Sequence, residues 1–386
     1  MPAVQGHTDG QLDEVKNLLQ KYVDSGEELG ASITVNLNGV DVVDIWGGYA
    51  DRDHKRAWER DTITNIFSTT KTVAAFAVLL LVDRGVLSVN DKVSRYWPEF
   101  AANGKQDIEI RHILSHTSGV AGFDAPVTVE DICDSPKVTK LLAAQAPWWE
   151  PGTGSGYHSF TQGYLIAEIV RRVTGKSLRE FIAEEIATPL DADFQLGCSD
   201  KDEPRRSDVI PPPPAGPPPL EPGSIGFRVM TNPAMRAEFA NSELFRKAEI
   251  GAGNGHSNAR GVNRILSVIS MDGKVGVGEG ERRFISPQTI DLIFQEQSNG
   301  LDHVLAFGAP IRWGIGFALP AKNTWIDWLP EGRVCTWGGY GGSMAVVDLD
   351  RKLTISYVMN KMDNVGLGSD KARAYIGAVY KALGVS

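Results

Sequence analysis

Ser68-Thr69-Thr70-Lys71 places a hydroxyl and an amine three residues apart, directly before the uncharged apolar run at residues 73–82. Side chains with this spacing share one face of a helix, with Cβ atoms about 5 to 6 Å apart, so the Lys71 amine can reach the Ser68 hydroxyl. An apolar run without a charged face is typical of a helix buried in the centre of a domain. The stretch therefore predicts a rigidly held serine nucleophile beside a base, as serine acyl transfer requires.

This four-residue pattern is short, and a serine-containing chain of 386 residues offers such a match by chance. Ser68 could instead cap the buried helix, which is a common use of serine. Lys71 could lie on the surface, although the apolar turns that follow it favour an inward position. Further motifs along the chain decide between these interpretations.

The overall composition is that of an ordinary globular protein, with 42% hydrophobic and 23% charged residues. The net charge is -9 and no dense cluster of lysine and arginine is present. Nucleic acid and anionic membranes are therefore not expected as partners. The three cysteines are widely spaced and form neither a disulfide framework nor a zinc pattern, which favours a reducing compartment.

The beginning of the chain has no basic segment followed by an apolar one, so no export signal is expected. The ten-residue apolar run is half the roughly 20 residues that cross a bilayer. From these features we expect a cytoplasmic protein without a membrane span. The sequence does not specify an oligomeric state.

Strand patterns occur near both ends of the chain and helical patterns lie between them. Asn38-Gly39 joins two alternating β-branched segments, which is a strong signal for a two-residue hairpin. Helices are expected near residues 12–22, 161–173 and 369–383, and strands at 31–37, 40–46, 345–349 and 353–359. This order predicts an α/β (α+β) fold, in which both chain ends build one antiparallel sheet flanked by helices.

The same pattern predicts two domains with the active site at their interface. The sheet domain is discontinuous and comprises residues 1–75 and 245–386. A mainly helical domain, residues 76–244, is inserted between them. It contains the proline-rich segment 211–223, which is expected to be an extended surface loop.

Two further motifs carry side chains suited to a cleft. Tyr157-His158-Ser159 follows a glycine-rich loop and directly precedes a helical pattern, so the phenol can face a cleft. Trp337-Gly338-Gly339-Tyr340 leads into a late strand, and its glycines allow the backbone to approach a ligand closely. This second segment is expected to form an oxyanion hole or a substrate edge.

Together, the three motifs resemble those of the serine β-lactamase-like hydrolases, with the closest likeness to the family VIII carboxylesterases. The resemblance extends over almost the whole chain and implies the fold of class C β-lactamases and penicillin-binding proteins. The segments at residues 113–119, 254–261 and 312–317 also resemble parts of that family. The function implied is hydrolysis of carboxylic esters through an acyl-enzyme, without a metal or an organic cofactor.

Carried over by motif, the resemblance makes Ser68 the nucleophile, Lys71 its partner and Tyr157 the base that also protonates the leaving group. It places Ser159 in a substrate-binding position where the family usually has asparagine. The backbone N–H groups of Ser68 and Tyr340 would form the oxyanion hole. Because neither phenol nor ammonium is a base at neutral pH, we expect Lys71 to stabilise a Tyr157 phenolate.

Residues Trp337-Gly338-Gly339 stand where β-lactamases carry Lys-Thr-Gly. The lysine of Lys-Thr-Gly is a cation that helps to bind the carboxylate of a β-lactam, and this chain lacks it at that position. The Trp337 indole favours an apolar or aromatic group of a small ester instead. Trp337 could equally be structural. The histidines at 116, 158 and 256 are expected to be structural.

Other functions remain open from the sequence. Acyl transfer to an alcohol uses the same acyl-enzyme and differs only in the acceptor. A D-amino-acid peptidase or amidase and a weak β-lactamase are further alternatives. A non-catalytic scaffold is disfavoured because Ser68, Lys71 and Tyr157 are all present.

Overall fold

The centre of the fold is an antiparallel sheet made from the two ends of the chain. The computed structural model describes residues 3–213, 220–305 and 310–385. Within these ranges the strands are β1 (Gln5–Thr8), β2 (Gly30–Leu37), β3 (Val40–Gly48), β4 (Ile63–Asn65), β5 (Phe194–Leu196), β6 (Arg206–Ser207), β7 (Gly255–Ser257), β8 (Lys274–Val275), β9 (Arg282–Arg283), β10 (Ser298–Gly300), β11 (Ile311–Trp313), β12 (Val334–Gly338), β13 (Met344–Asp348) and β14 (Leu353–Met359). Six of them form the main sheet in the order β1-β3-β2-β14-β13-β12.

Helices surround this sheet and fill the middle of the chain. They are α1 (Asp13–Ser25), α2 (Thr70–Asp83), α3 (Ile110–Leu114), α4 (Val129–Ile132), α5 (Ser135–Ala144), α6 (Thr161–Thr174), α7 (Leu178–Ile182), α8 (Ile225–Thr231), α9 (Glu243–Lys247), α10 (Ala259–Ser270), α11 (Pro287–Ile293) and α12 (Asp370–Ala382). The predicted mixed fold, with its sheet drawn from both chain ends, is confirmed.

The hairpin between β2 and β3 forms at the predicted turn. Asn38 and Gly39 both have positive φ values, 53° and 82°, which the two-residue turn requires. β2 then pairs with β14, so that Val35 lies opposite Ile355 although 320 residues separate them in the chain. This pairing joins the two chain ends into one sheet.

Successive side chains of a strand point to opposite faces, and helices cover both faces of this sheet. On one face, the Ser32 hydroxyl accepts a hydrogen bond from the Ala259 N–H at the start of α10. On the other face, the Tyr357 ring packs against Tyr375 of α12, with ring centroids 5.1 Å apart. The sheet is therefore buried on both sides and forms a rigid base.

Helix α2 runs through the interior. Every residue from Thr70 to Leu81 is buried, and the helix contacts α6, α7, α10 and α11. It follows β4, which belongs to a small second sheet in the order β5-β7-β4-β6. This connection fixes the start of α2, where Ser68 and Lys71 lie.

The predicted domain boundary between residues 75 and 76 falls within α2, so the domain limits stay a prediction. In the proline-rich segment, residues 214–219 lie outside the described residues. Before them, the Asn364 side chain donates to the Pro213 carbonyl at 2.8 Å. None of the helices in the described ranges is long and apolar enough to cross a membrane.

Candidate active site

Ser68 lies in a tight turn between β4 and α2. The residue before it, Phe67, has a φ of +43°, a left-handed conformation that is strained for a bulky side chain. Two side chains hold this turn: Asn65 Oδ1 accepts from the Phe67 N–H at 2.8 Å, and Thr70 Oγ1 donates to the Phe67 carbonyl at 2.5 Å. The turn thus presents the half-buried Ser68 side chain at the head of a buried helix.

The Lys71 amine reaches Ser68 as its spacing predicts. Lys71 Nζ lies 3.1 Å from Ser68 Oγ, and the lysine side chain is buried with 2% of the residue exposed. The residue that precedes α2 is Thr69, whose side chain makes no capping hydrogen bond. Ser68 is therefore engaged with Lys71 rather than capping the helix, and Lys71 points inward.

The surroundings of Lys71 favour the neutral amine. Nζ donates to the backbone carbonyls of Ser159 and Ala252, both at 2.8 Å. Burial lowers the pKa of Lys71 well below its ordinary value, and no carboxylate in the described ranges forms an ion pair with it. A neutral amine has two N–H groups and one lone pair. In its neutral form Lys71 would use both N–H groups for these carbonyls, and its lone pair would face the Ser68 hydroxyl.

Tyr157 completes the group around the nucleophile. Its hydroxyl accepts a hydrogen bond from Trp337 Nε1 at 3.1 Å and is hydrogen-bonded to Ser68. Lys71 Nζ lies 4.7 Å from the centroid of its ring. Burial raises the pKa of Tyr157 and the Asp302 carboxylate adds to this, while the hydrogen bonds to Ser68 and Trp337 lower the pKa. The expected phenolate is thus disfavoured, because burial favours the neutral form of both Tyr157 and Lys71.

The loop that carries Tyr157 is held by a buried carboxylate. Asp302 Oδ1 accepts from the Tyr157 N–H at 2.8 Å and from two further backbone N–H groups at 2.9 and 3.0 Å. The Trp313 ring is parallel to the Tyr157 ring at 6.3 Å, and the His116 ring lies 4.9 Å from it. These contacts fix the phenol in one position.

The oxyanion hole expected from Ser68 and Tyr340 stays a prediction, on which two observations bear. Within the described residues, the Ser68 and Tyr340 amides have no protein acceptor. Gly339 brings the second amide close to the nucleophile turn, since a Cβ at this position would overlap the Ile66 carbonyl oxygen. The Gly339 N–H donates to the Ser343 carbonyl at 2.8 Å, and a Cβ at Gly338 would lie 2.7 Å from the same oxygen. Both glycines are therefore required by close packing.

Trp337 and Ser159, both expected to bind substrate, contact the catalytic group in this structure. Trp337 is only 4% exposed and uses its N–H for Tyr157, so the indole supports the phenol instead of lining the cleft. Ser159 contributes its carbonyl to Lys71, and its half-buried hydroxyl has no partner in the described part of the chain. Beside the nucleophile turn, the exposed aromatic side chain is Tyr340. It is 41% exposed and packs edge-on against Phe67, with ring centroids 5.7 Å apart.

The three histidines near the motifs are buried and hydrogen-bonded. His158 donates from Nδ1 to the Gly156 carbonyl at 2.6 Å, and its Nε2 lies 2.6 Å from Ser118 Oγ. Burial lowers the pKa of His158 to about 4 and that of His256 to about 3, and it lowers the pKa of His116 strongly. Burial thus disfavours the imidazolium form of all three, and their structural role stays a prediction.

Sequence reasoning missed three groups of the site. The Ala252 carbonyl has no side-chain signature. Asp302 lies 145 residues beyond Tyr157 in the chain, and nothing in its neighbourhood marks it. Trp313 lies within the segment 312–317 that had been singled out, but its stacking on Tyr157 depends on the tertiary fold.

The chain is similar to known proteins over most of its length. Residues 15–379 match the model of the Beta-lactamase family. The chain is 31% identical over 347 residues to the esterase/beta-lactamase LipL of Mycobacterium tuberculosis, covering 86% of this chain and 77% of that protein. A family VIII carboxylesterase structure superposes with a TM-score of 0.90 at 33% identity, covering 98% and 99% of the two chains. A penicillin-binding protein homologue from Caulobacter crescentus gives a TM-score of 0.88 at 31% identity and the same coverage.

Proposed function

The chain belongs to the Beta-lactamase family, and we propose that it hydrolyses carboxylic esters through an acyl-enzyme formed on Ser68. The observation that carries this proposal is the contact between Lys71 Nζ and Ser68 Oγ at 3.1 Å. Among the described residues no carboxylate is paired with Lys71, and burial lowers its pKa. A buried neutral amine is a base at neutral pH, whereas an ordinary lysine is not. The similar proteins that are esterases by name support the same reaction class.

In the acylation step, Ser68 Oγ attacks the ester carbonyl while its proton moves to Lys71 Nζ. A bond forms between Oγ and the carbonyl carbon, and negative charge develops on the former carbonyl oxygen. The amides of Ser68 and Tyr340 bind this oxyanion. Removal of one such donor in a serine protease costs about 3 to 4 kcal/mol of transition-state stabilisation.

Collapse of the intermediate breaks the bond to the alcohol. The neutral Tyr157 hydroxyl donates its proton to the departing alkoxide, and the Lys71 ammonium returns a proton to the phenolate. Trp337 keeps the phenol oxygen in place through its N–H. Water then attacks the acyl-enzyme while its proton moves to Lys71 Nζ. The bond between Ser68 Oγ and the acyl carbon breaks, the Lys71 ammonium returns the proton to Ser68 Oγ, and the acid leaves.

The acyl group is proposed to be apolar or aromatic. The mouth beside the nucleophile carries the exposed Tyr340 ring and the Phe67 ring in edge-on contact. The cation that would anchor a carboxylated β-lactam is replaced by Trp337. Aromatic surface without a cation favours small neutral esters over carboxylated substrates. A small-molecule ester is therefore the proposed partner.

The proposed place of action is a reducing compartment such as the cytoplasm. Cys133, Cys198 and Cys335 are all free thiols in the structure. Burial raises the pKa of Cys133 and of Cys198 to about 11 each, which keeps these two thiols protonated. Free thiols persist where the environment is reducing.

The test is a panel of p-nitrophenyl esters with wild type, Ser68→Ala and Tyr157→Phe, with intact-mass detection of the acyl-enzyme. We expect turnover and an adduct in wild type, and neither in Ser68→Ala. Undiminished turnover by Ser68→Ala would exclude this residue as the nucleophile. Nitrocefin in the same assay measures β-lactamase activity, and a stable adduct without turnover indicates transfer to an alcohol instead of water.

A further inference from the structure

Tyr340 lies in a tight turn between β12 and β13. The Gly342 N–H donates to the Gly339 carbonyl at 3.1 Å, which closes a four-residue β-turn with Tyr340 at its second position. The Gly339 carbonyl and the Tyr340 N–H belong to the same peptide plane, so this bond also sets the direction of the Tyr340 N–H. The Gly339 N–H donates to the Ser343 carbonyl at 2.8 Å and holds the base of the turn.

Two buried hydroxyls attach this turn to the segment that carries the nucleophile. Ser343 Oγ donates to the Ile66 carbonyl at 3.0 Å, and Thr69 Oγ1 lies 2.9 Å from Ser343 Oγ. A hydroxyl has one proton, and that of Ser343 is used for Ile66, so Thr69 is the donor in the second bond. We call this series of bonds, from Thr69 through Ser343 to Ile66, the hydroxyl chain.

The hydroxyl chain meets the nucleophile turn on both sides of Ser68. Ile66 lies two residues before Ser68 and Thr69 lies directly after it, and the Thr69 N–H donates to the Ile66 carbonyl at 3.2 Å. Thr69 and Ser343 are 0% and 2% exposed, so bulk water does not compete for these bonds. Ser343 thus joins both ends of the nucleophile turn through its hydroxyl and the Tyr340 turn through its carbonyl.

We propose that Ser343 and Thr69 are positioning residues, which hold the Tyr340 amide at the distance from Ser68 that the ester oxyanion requires. The inference rests on the proposed ester hydrolysis, in which the Ser68 and Tyr340 amides bind this oxyanion. Neither hydroxyl takes part in the proton transfers of that reaction. Their effect is on geometry, and a misplacement of about 1 Å in an active site can cost about 10²-fold in rate.

A second chain of the same composition offers a matched control. Thr354 Oγ1 donates to Ser270 Oγ at 2.8 Å, and Ser270 Oγ donates to the Ser267 carbonyl at 3.1 Å. Thr354 and Ser270 are both 0% exposed, and their chain joins β14 to α10 instead of the two turns of the site. Thr354→Val and Ser270→Ala therefore make the same chemical changes in equally buried places.

The test is steady-state hydrolysis of p-nitrophenyl butyrate. Thr69→Val removes the hydroxyl and keeps the branched shape, whereas Thr69→Ser keeps the hydroxyl. We expect Thr69→Val and Ser343→Ala each to lower kcat about tenfold with KM within about twofold of wild type, because the oxyanion forms only after the substrate has bound. Thr69→Ser should restore kcat to within about threefold of wild type.

The two control variants should keep the wild-type kcat, and urea unfolding compares the stability that each of the four variants loses. The double variant Thr69→Val with Ser343→Ala should lose little more kcat than Ser343→Ala, because both substitutions break one chain. If Ser343→Ala does not fold, Thr69→Val against Thr69→Ser decides.

Three results would overturn this inference and leave the proposed hydrolysis in place. They are a wild-type kcat in Thr69→Val and Ser343→Ala, an equal loss in the control variants, and a Thr69→Ser variant as slow as Thr69→Val. No turnover by wild type, or undiminished turnover by Ser68→Ala, would instead overturn the proposed hydrolysis itself.

Discussion

Lys71 and Lys371 are both buried, in opposite electrostatic surroundings. Lys71, beside Ser68, is held by two backbone carbonyls and has no carboxylate partner among the described residues. Lys371, on α12, forms ion pairs with Asp363 at 3.3 Å and Glu28 at 3.6 Å, and donates to a backbone carbonyl at 2.9 Å. The same side chain is thus the proposed base in one place and a partner of two carboxylates in the other.

The difference shows that burial alone does not define a base. Desolvation disfavours the ammonium form at any buried lysine, and a nearby carboxylate offsets that effect. At Lys71 burial is the sole cause of the lowered pKa. The absence of a carboxylate around Lys71 in the described ranges is therefore as important to the proposed chemistry as the contact with Ser68.

The largest expected effect comes from replacing each lysine by arginine. A guanidinium stays protonated in proteins, so Lys71→Arg cannot accept the Ser68 proton and should lower kcat/KM by at least about 10³-fold. Lys371→Arg keeps the cation that its site uses and should retain activity within about tenfold. Steady-state kinetics on p-nitrophenyl butyrate measures both. A similar loss of kcat/KM in both variants would contradict the proposal that only Lys71 acts as a base.

The second prediction makes the surroundings of Lys71 resemble those of Lys371. Ser159→Asp adds a carboxylate next to the carbonyl that binds Lys71, and an opposite charge within about 4 to 6 Å raises a lysine pKa by about 1 to 3 units. The acid limb of the kcat/KM profile should move to higher pH, with activity at pH 7 reduced about tenfold or more. Ser159→Asn is the neutral control and should keep the wild-type limb. Identical pH profiles for the two variants would contradict the prediction.

The third prediction concerns the hydrogen bond from Trp337 to Tyr157. Trp337→Phe removes the indole N–H that lies 3.1 Å from the phenol oxygen while keeping an aromatic ring. A neutral hydrogen bond contributes about 0.5 to 1.5 kcal/mol, so kcat should fall about three- to tenfold with little change in KM. A change confined to KM would instead assign Trp337 to substrate binding.

The smallest effect is on stability and concerns Glu28, one of the two carboxylates that lie beside Lys371. Burial raises the pKa of Glu28 to about 7, against the pull of Lys371 and of the hydrogen bond from Tyr357. The folded state thus prefers the protonated form of Glu28. The stabilisation of the fold by this group is complete below about pH 4.5 and is lost as the pH rises through 7. From Glu28 alone, the free energy of unfolding should fall by up to about 3 kcal/mol between these limits.

Glu28→Gln should abolish this pH dependence, whatever its effect on absolute stability. Urea unfolding at pH 5.5 and pH 8 measures the difference for both proteins. Between these two pH values, the free energy of unfolding should fall more in wild type than in Glu28→Gln. Equal falls would show that Glu28 is already ionised throughout this range.

Local sequence signals predicted much of the fold because they act over a few residues. Asn38-Gly39 specifies its hairpin through positive φ values, and Gly175 ends α6 in the same left-handed conformation with a φ of 74°. The capping box of Ser177 and Glu180 starts α7 as its spacing indicates. The contact between Ser68 and Lys71 was likewise predictable, because residues three apart lie on the same face of a helix.

The parts that were missed depend on tertiary structure. The Ala252 carbonyl and the Asp302 carboxylate reach the site across 181 and 145 residues of sequence. The protonation states depend on burial, which the motifs do not encode. For this reason the sequence suggested a Tyr157 phenolate, whereas the folded chain raises the pKa of Tyr157 and lowers that of Lys71.

The central claim is that neutral Lys71 activates Ser68, and the pH dependence of covalent labelling tests it directly. The rate at which a neutral fluorophosphonate modifies the folded protein would be followed by intact mass, with peptide mapping of the adduct. We expect one adduct, on Ser68, at a rate that reaches its plateau well below the ordinary pKa of lysine, because burial lowers the pKa of Lys71. A rate that still rises towards pH 10, as for an ordinary lysine, or an adduct on another residue, would contradict it.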